Sequence, residues 1–386
     1  MTERTGLDPT AFRGHYQRFL EGDRVLLTGH SHQAWPDIAR AGLLESYDDA
    51  ARYVDDKWAH AQQRADRVRR GIAERLGGAA DEFALGGSTH ELVCRLLSAL
   101  DFKRRPHLVT TSGEFHSLSR QLRRLREAGV AVSIVDQTPV HNLAERLQSA
   151  LRDDTAAIMC STVLFQSAAI VPNLPELCRA AEARGIVVLL DAYHAFNVVP
   201  LSLADFPPSV FLTAGGYKYA QWGEGVCFLR VPPACTLRPV YTGWFADFER
   251  LDAPQADRIE YGSRGADRFA GSTYDPASHY RASAVIDLFR SQDWNVEALR
   301  ELSLRQTQQI IDGLDGFEIV TPRDSGQRGG FVALRRPDAA ALVVALRKEG
   351  IFADARGEIL RFGPAPYVTP EQIARGLAAL RKLCPH

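Results

Sequence analysis

Short apolar runs alternate with amphipathic stretches through the middle of this chain. His107–Thr111, Ala131–Val135, 156–160 and 186–191 read as strands, and 117–128, 143–151 and 174–184 as helices. Alternation with such short links predicts a mostly parallel sheet covered by helices on both faces. Ligands of these sheets bind at the carboxyl ends of the strands. The residues expected there are Glu114-Phe115-His116-Ser117, Ser161-Thr162 and Asp191-Ala192-Tyr193-His194.

Upstream, residues 1–45 read as an irregular leader that contains Gly29-His30-Ser31-His32-Gln33, positioned to fold over the mouth of a cleft. Helical periodicity runs from 37 to 76 and stops at Gly77-Gly78. A strand at 83–85 leads through Gly86-Gly87-Ser88-Thr89 into an amphipathic run at 92–100. Downstream, apolar runs at 210–212 and 226–229 read as buried strands around a tight loop, and 245–285 is rich in loops. Helices are expected at 280–290 and 296–313. The last hundred residues change pattern, with strands at 317–320, 331–334 and Ile359–Phe362 and helices at 339–349 and Pro370–Leu383. The expected organisation is an arm (1–45), a large α/β domain (46–285) and a smaller α+β domain (286–386).

Composition narrows the function. At 386 residues and 45 % apolar content the chain can bury a substantial core. A net charge of −1 without a long basic run gives no reason to expect nucleic acid or an acidic membrane surface. Six scattered cysteines without a CxxC suit free thiols in a reducing compartment. The first residues, Met1-Thr2-Glu3-Arg4-Thr5-Gly6, lack the apolar core of a signal peptide, so a cytoplasmic protein is expected. His30 and His32 have no third ligand at a metal-like spacing, and no metal is expected.

The stretch from Phe211 to Phe228 holds the sharpest chemical signal, a lone lysine, Lys218, between two tyrosines and two glycine pairs. On a buried loop, desolvation lowers a lysine's pKa toward the free amine, which condenses with aldehydes. On a hairpin tip it is only a surface lysine. Ser88 and Thr89 begin a helix whose open N–H groups suit a phosphate, or they form a plain N-cap in the capping-box spacing Ser88/Glu91. Together with the strand-end Asp191, an aromatic or imidazole ring after the neighbouring strand, and a late Arg361, these residues meet the needs of pyridoxal phosphate. The cofactor requires an amine for its aldehyde, an anion for its ring nitrogen, a phosphate cradle and a stacking partner. A bidentate arginine suits an amino-acid carboxylate.

These motifs resemble a fold-type I pyridoxal-phosphate enzyme of the class V aminotransferase group, and most closely the kynureninase family, from about Gly29 to the C-terminus. Gly215-Gly216-Tyr217-Lys218-Tyr219 with Gly223-Glu224-Gly225 resembles the family's Tyr-Lys-Tyr…Gly-x-Gly segment. The resemblance implies an aspartate-aminotransferase-like fold in which Lys218 forms the Schiff base with the cofactor, Asp191 faces the pyridine nitrogen and His194 lies near the ring. Ser88, Thr89 and Tyr217 would hold the phosphate. Gly243-Trp244 and Arg268-Phe269-Ala270-Gly271-Ser272-Thr273 resemble stretches that complete the neighbouring subunit's phosphate site, which implies a homodimer with Trp244, Ser272 and Thr273 in the shared site. Arg361 is implied on the substrate carboxylate. Independently of the resemblance, the leader's place over the cleft puts His30 or His32 toward substrate, and the bulky Tyr193 is expected to shape the substrate pocket.

The chain also departs from the family pattern. It has Gly29-His30-Ser31-His32-Gln33 where kynureninases carry Gly-Asn-Ser-Leu-Gly, and Tyr193 where a small residue is expected. The stacking ring is Phe115 by the kynureninase pattern. It is His116 by the Glu-x-His-Ser pattern of the desulfurase branch, toward which the reading inclines. The implied reaction is hydrolytic Cβ–Cγ cleavage of kynurenine or a related amino acid, with Tyr217 or His194 moving protons. Transamination, β-elimination and an oxidative variant are the alternatives. A desulfurase-like reaction is less expected, because no cysteine falls in the Gly326–Gly330 region and Cys384 lies at the extreme C-terminus. A non-catalytic scaffold has no physical need for the lysine, the carboxylate and the arginine together.

Overall fold

The computed structural model describes residues 6–250, 252 and 257–384. Residues 1–5, part of the stretch read above for a signal peptide, and residues 251 and 253–256 of the loop-rich stretch lie outside it. The described chain opens with α1 (Pro9–Arg13), β1 (Val25–Leu26), α2 (Ile38–Tyr53) and α3 (Lys57–Leu76). The expected irregular leader therefore holds a helix, a strand and the start of α2. Its order comes from far along the chain, since β1 pairs in parallel with residues 351–352 while Phe12 and Tyr16 are fully buried. The periodic stretch 37–76 breaks at Val54, whose φ of 55° is costly for a β-branched residue.

Seven strands form the central sheet. They are β2 (Phe83–Gly86), β3 (His107–Thr111), β4 (Ala131–Val135), β5 (Thr155–Ser161), β6 (Val187–Asp191), β7 (Phe211–Gly215) and β8 (Cys227–Arg230), in the order β2-β8-β7-β6-β5-β3-β4. β4, β3, β5, β6 and β7 run parallel, and β8 lies antiparallel between β7 and β2. The links are α4 (Thr89–Ser98), α5 (His116–Glu127), α6 (Leu143–Ser149) and α7 (Leu174–Glu182). β5 is buried along its whole length, as expected of a parallel strand covered on both faces. Each fully buried leucine, such as Leu189 and Leu190 in β6, contributes about 1.5–3 kcal/mol. Register places Ser161 beside Asp191 at the carboxyl ends of β5 and β6.

The remainder comprises α8 (Ala277–Ser291), α9 (Val296–Asp312), β9 (Val332–Arg335), α10 (Ala339–Lys348), β10 (Ile351–Phe352), β11 (Asp354–Arg356), β12 (Ile359–Phe362) and α11 (Pro370–Leu383). A small antiparallel sheet runs β11-β12-β9 and sets Asp354 directly opposite Arg361. Residues 317–320, expected as a strand, supply only an isolated bridge from Ile319 to Leu334. Buried apolar residues run without a break from the central sheet (Val109, Leu190) into this layer (Val332, Leu360). Among the described residues no helix is long and apolar enough to cross a membrane.

Helix α8 crosses α2 and α3 at two glycines. A Cβ on Gly42 would lie 2.7 Å from the Tyr280 carbonyl oxygen, and one on Gly71 would lie 2.8 Å from the Ile286 side chain. Gly42→Leu is expected to cost about 1–3 kcal/mol through overpacking. Gly14→Ala, whose new Cβ would meet nothing closer than 3.9 Å, should leave the melting temperature unchanged. Equal melting temperatures for the two variants would contradict this packing.

Candidate active site

The ends of β5 and β6, the β7–β8 loop and the start of α4 enclose a cavity of about 360 Å³. It brings together Lys218, Asp191, His194, Ser88, Thr89, Phe115, Tyr217 and Tyr193, residues scattered over 130 positions of sequence.

Lys218 projects from the loop between the antiparallel strands β7 and β8 and is only 4 % exposed. The loop is tightly built. Gly216 N–H donates to the Val226 carbonyl at 2.8 Å, and the Trp222 N–H donates back to Gly216 at the same distance. Gly223 and Gly225 take φ of 72° and 85°, where a side chain would be strained. Arg281 of α8 fixes the loop from outside, donating from Nε to the Trp222 carbonyl at 2.6 Å and from its other arm to the Glu224 carbonyl. The hairpin-tip lysine of the plain reading is therefore a buried one. Burial pulls its pKa from 10.5 down to about 7, opposed by the Asp191 carboxylate and reinforced by Arg361.

His194 Nε2 stands 2.7 Å from Lys218 Nζ. Burial, and then the Lys218 and Arg361 charges, hold this imidazole well below its ordinary value, so it is neutral. Its Nδ1 is buried without a hydrogen-bond partner among the described residues, a costly condition that a ligand can relieve. Asp191 ends β6, and its Oδ1 accepts the Tyr193 N–H at 2.9 Å. Burial raises its pKa against that hydrogen bond and the Lys218 charge.

Sequence reasoning passed over two acids. Glu114 lies buried beneath the cavity, accepting from Ser161 N at 3.1 Å, Ser161 Oγ at 2.6 Å and Thr111 Oγ1 at 2.5 Å. Burial pushes it up to about 7 in spite of those donors. Its sequence signals were its place after the strand 107–111 and in Glu-x-His-Ser, neither of which assigned it a role. Asp354 joins the expected substrate residues. Its Oδ1 contacts His30 Nε2 at 2.9 Å and Arg361 Nε at 2.8 Å, and its Oδ2 contacts the Arg361 terminal nitrogen at 2.6 Å. Burial would raise its pKa, but the His30 and Arg361 contacts hold it far below the usual carboxylate range. Arg361 also donates to the carbonyl of the cavity-lining Phe165 at 2.6 Å. His30 is fully buried against Phe331 at 4.6 Å, and its pKa falls to about 4 through burial and the Arg361 charge.

Other expected residues lie apart. His32 is exposed, 6.3 Å from the Tyr217 ring, so the two leader histidines diverge. His116, the favoured stacking ring, is exposed at the first position of α5. Phe115, the N-cap with extended backbone, faces the cavity, and its ring centroid is 5.3 Å from Lys218 Nζ. Trp244 is 41 % exposed, and Ser272 and Thr273 are exposed as well. These two stretches touch each other, with Phe245 N–H donating to the Gly271 carbonyl at 3.1 Å, but they do not line this chain's own cavity.

The residues fit pyridoxal phosphate. A buried amine drawn toward neutrality, a strand-end carboxylate, an unpartnered imidazole nitrogen and the start of the ten-residue helix α4 surround one cavity. Ser88 caps α4, its Oγ accepting the Glu91 N–H at 3.2 Å, while Glu91 reaches Gly87 N–H at 3.0 Å rather than closing the expected box on Ser88.

Unfolded, Lys218 keeps its proton up to about 10.5, whereas folded and cofactor-free it releases it near 7. Between those values the unfolded chain binds the extra proton, so this group's penalty shrinks as pH rises through the window. Lys218→Met is therefore expected to be more stable than the cofactor-free wild type at pH 7, with the difference narrowing toward pH 10 in denaturant titrations. A constant difference would contradict the burial of the amine.

Residues 296–380 match the family model of the kynureninase C-terminal domain. The kynureninase of Deinococcus radiodurans is 27 % identical, over 94 % of this chain and 90 % of its own. Among solved structures, a C-DES mutant with glycine covalently linked to its PLP cofactor superposes with a TM-score of 0.83 at 16 % identity, over 95 % of this chain and 98 % of that one. The apo cysteine desulfurase of Thermococcus onnurineus follows at 0.81 and 16 %, over 97 % and 98 %. In fold, and over most of its sequence, the chain is similar to the fold-type I pyridoxal-phosphate enzymes of the class V aminotransferase group, and within that group to kynureninase.

Proposed function

We propose that this protein is a pyridoxal-phosphate-dependent enzyme of amino-acid metabolism that hydrolyses the Cβ–Cγ bond of kynurenine or a related amino acid. The observation that carries this reading is the 2.7 Å contact between the buried Lys218 amine and the neutral His194 imidazole in the cavity lined by Asp191. When bound, the cofactor supplies an electron-withdrawing ring conjugated to the substrate's amine. Asp191 offers its carboxylate to the ring nitrogen, and Ser88, Thr89 and the N–H groups at the start of α4 receive the phosphate.

The remaining chemistry belongs to this chain's side chains. An amine titrating near 7 is divided between base and acid at neutral pH, so Lys218 can take a proton from the substrate's Cα and return one later. His194 exchanges that proton through Nε2. Tyr217, its phenol pushed up to about 12 by burial, is a proton donor rather than a base. Arg361 receives the substrate carboxylate, with Asp354 fixing the plane of its guanidinium. Phe115, Phe165 and Val163 give the cavity an apolar wall suited to an aromatic side chain. Water adds to the γ-carbonyl, and the Cβ–Cγ bond breaks to release alanine and an aromatic acid.

A second reading, transamination or β-elimination in the same cavity, draws support from Tyr193 beside Lys218 and from His30 turned onto Asp354. Those are two of the positions that depart from the kynureninase pattern. A desulfurase has less support. Cys227, the thiol that lines the cavity, is pushed up to about 12 by burial and is a poor source of nucleophilic thiolate.

Purified protein is expected to absorb in the visible, and Lys218→Ala to lose that band. Kynurenine and 3-hydroxykynurenine should yield alanine and the fluorescent aromatic acid, whereas conversion only with a keto-acid partner would favour transamination. The exposure of Trp244 and Thr273 supports a shared site in a homodimer. Mixing inactive Lys218→Ala with an inactive Thr273→Ala variant should restore part of the activity through hybrid dimers, and no recovery would argue for a self-contained site.

A further inference from the structure

Tyr193 has a space prepared for it. Gly215 closes β7 with an ordinary backbone, so its conformation does not require glycine. A Cβ at this position would instead lie 2.3 Å from the Tyr193 hydroxyl, 2.6 Å from its Cζ and 2.5 Å from Cys227 Sγ. The missing side chain of Gly215 is the volume that the tyrosine fills. At its other end the residue is tied to the catalytic carboxylate, because its own N–H donates to Asp191 Oδ1.

The ring thus held faces the lysine. Its centroid is 4.7 Å from Lys218 Nζ, its hydroxyl is drawn away to 3.7 Å from Cys227 Sγ, and Tyr217 meets it edge-on at 5.3 Å. The Phe115 ring lies 5.3 Å from the same Nζ. The two rings reach it from different sides of the strand that ends in Asp191. Phe115 follows β3, beyond β5, while Tyr193 leans over β7 and β8 on the other flank of β6. Both line the cavity.

From this arrangement we propose that Tyr193 is a second aromatic wall of the cofactor slot, opposite Phe115, and that Gly215 is the residue that makes the wall possible. The inference rests on the pyridoxal-phosphate reading and deepens it. A planar heteroaromatic ring entering the cavity is gripped between two π faces where a small residue at 193 would offer only one. Tyr193 is then a cofactor-positioning residue rather than an obstruction, and Gly215 accompanies it for a steric reason.

The test is cofactor affinity, measured by absorbance titration of cofactor-free protein with pyridoxal 5'-phosphate, with the melting temperature of each unloaded variant recorded alongside. Tyr193→Phe keeps the face and should bind as wild type does. Tyr193→Leu and Tyr193→Ala should bind about tenfold more weakly, the scale of a lost aromatic stacking contact, and shift the absorption maximum of the bound cofactor. Gly215→Ala should weaken binding in the wild-type background and weaken it less on top of Tyr193→Ala, where only the Cys227 contact remains, a coupling that independent sites would not give. Tyr193→Leu binding as tightly as wild type with an unshifted spectrum, or Gly215→Ala costing the same in both backgrounds, would overturn this proposal alone. A wild type that takes up no pyridoxal phosphate would overturn the underlying reading with it.

Discussion

Keeping one amine out of water is the constraint on which this molecule's site depends. Lys218 sits where solvent cannot stabilise its charge, and the groups around it decide what fraction of that charge survives. Asp191 favours the ammonium and Arg361 opposes it, while Asp354 binds Arg361 so closely that much of the guanidinium's field is cancelled locally. The result is an amine balanced near neutrality, beside an imidazole that burial keeps uncharged. Under the proposed function, the same balance suits the lysine to act as a nucleophile toward an aldehyde and as a base toward a Cα proton.

That balance requires a rigid loop, and the rigidity is assembled from distant parts of the chain. Arg281 of α8 donates to two loop carbonyls while its guanidinium lies 4.5 Å over the Trp35 ring of the arm. Tyr16, also from the arm, donates to Gln221, and Asn197 donates to the Tyr219 carbonyl at 2.9 Å. Tyr367 in turn donates to Gln33 at 3.0 Å. The arm thus bridges the lysine loop and the C-terminal layer that carries Arg361. That layer is tied to the lysine loop through buried polar contacts, which are costly to leave unpaired.

The sequence conveyed the parts that follow from local pattern. His107–Thr111 and Ile359–Phe362 lie where their apolar runs lie, because burial on both faces leaves little doubt about a strand. The half-buried edge strand Ala131–Val135 was legible from its β-branched residues. Lys218, Asp191 and Ser88 were recognisable because each is a polar residue at the end of an apolar element. What stayed hidden depended on register or on a single turn. Asp354 meets Arg361 only through the antiparallel pairing of β11 and β12 across Gly357, whose φ is 56°. Glu114 reaches Ser161 only because β3 and β5 are neighbours. Phe115 lines the cavity while His116 is exposed because the helix begins between them. His30 and His32 part because the chain turns at Thr28, whose carbonyl accepts from both Ser31 and His32.

Lys218, and no other lysine of the chain, is proposed to carry the cofactor. Borohydride reduction of the purified protein, followed by proteolysis and mass spectrometry of the pyridoxyl-labelled peptide, tests it directly. The label is expected on the peptide containing Lys218. A label on Lys57, Lys103, Lys348 or Lys382, or no label in protein loaded with pyridoxal phosphate, would contradict it.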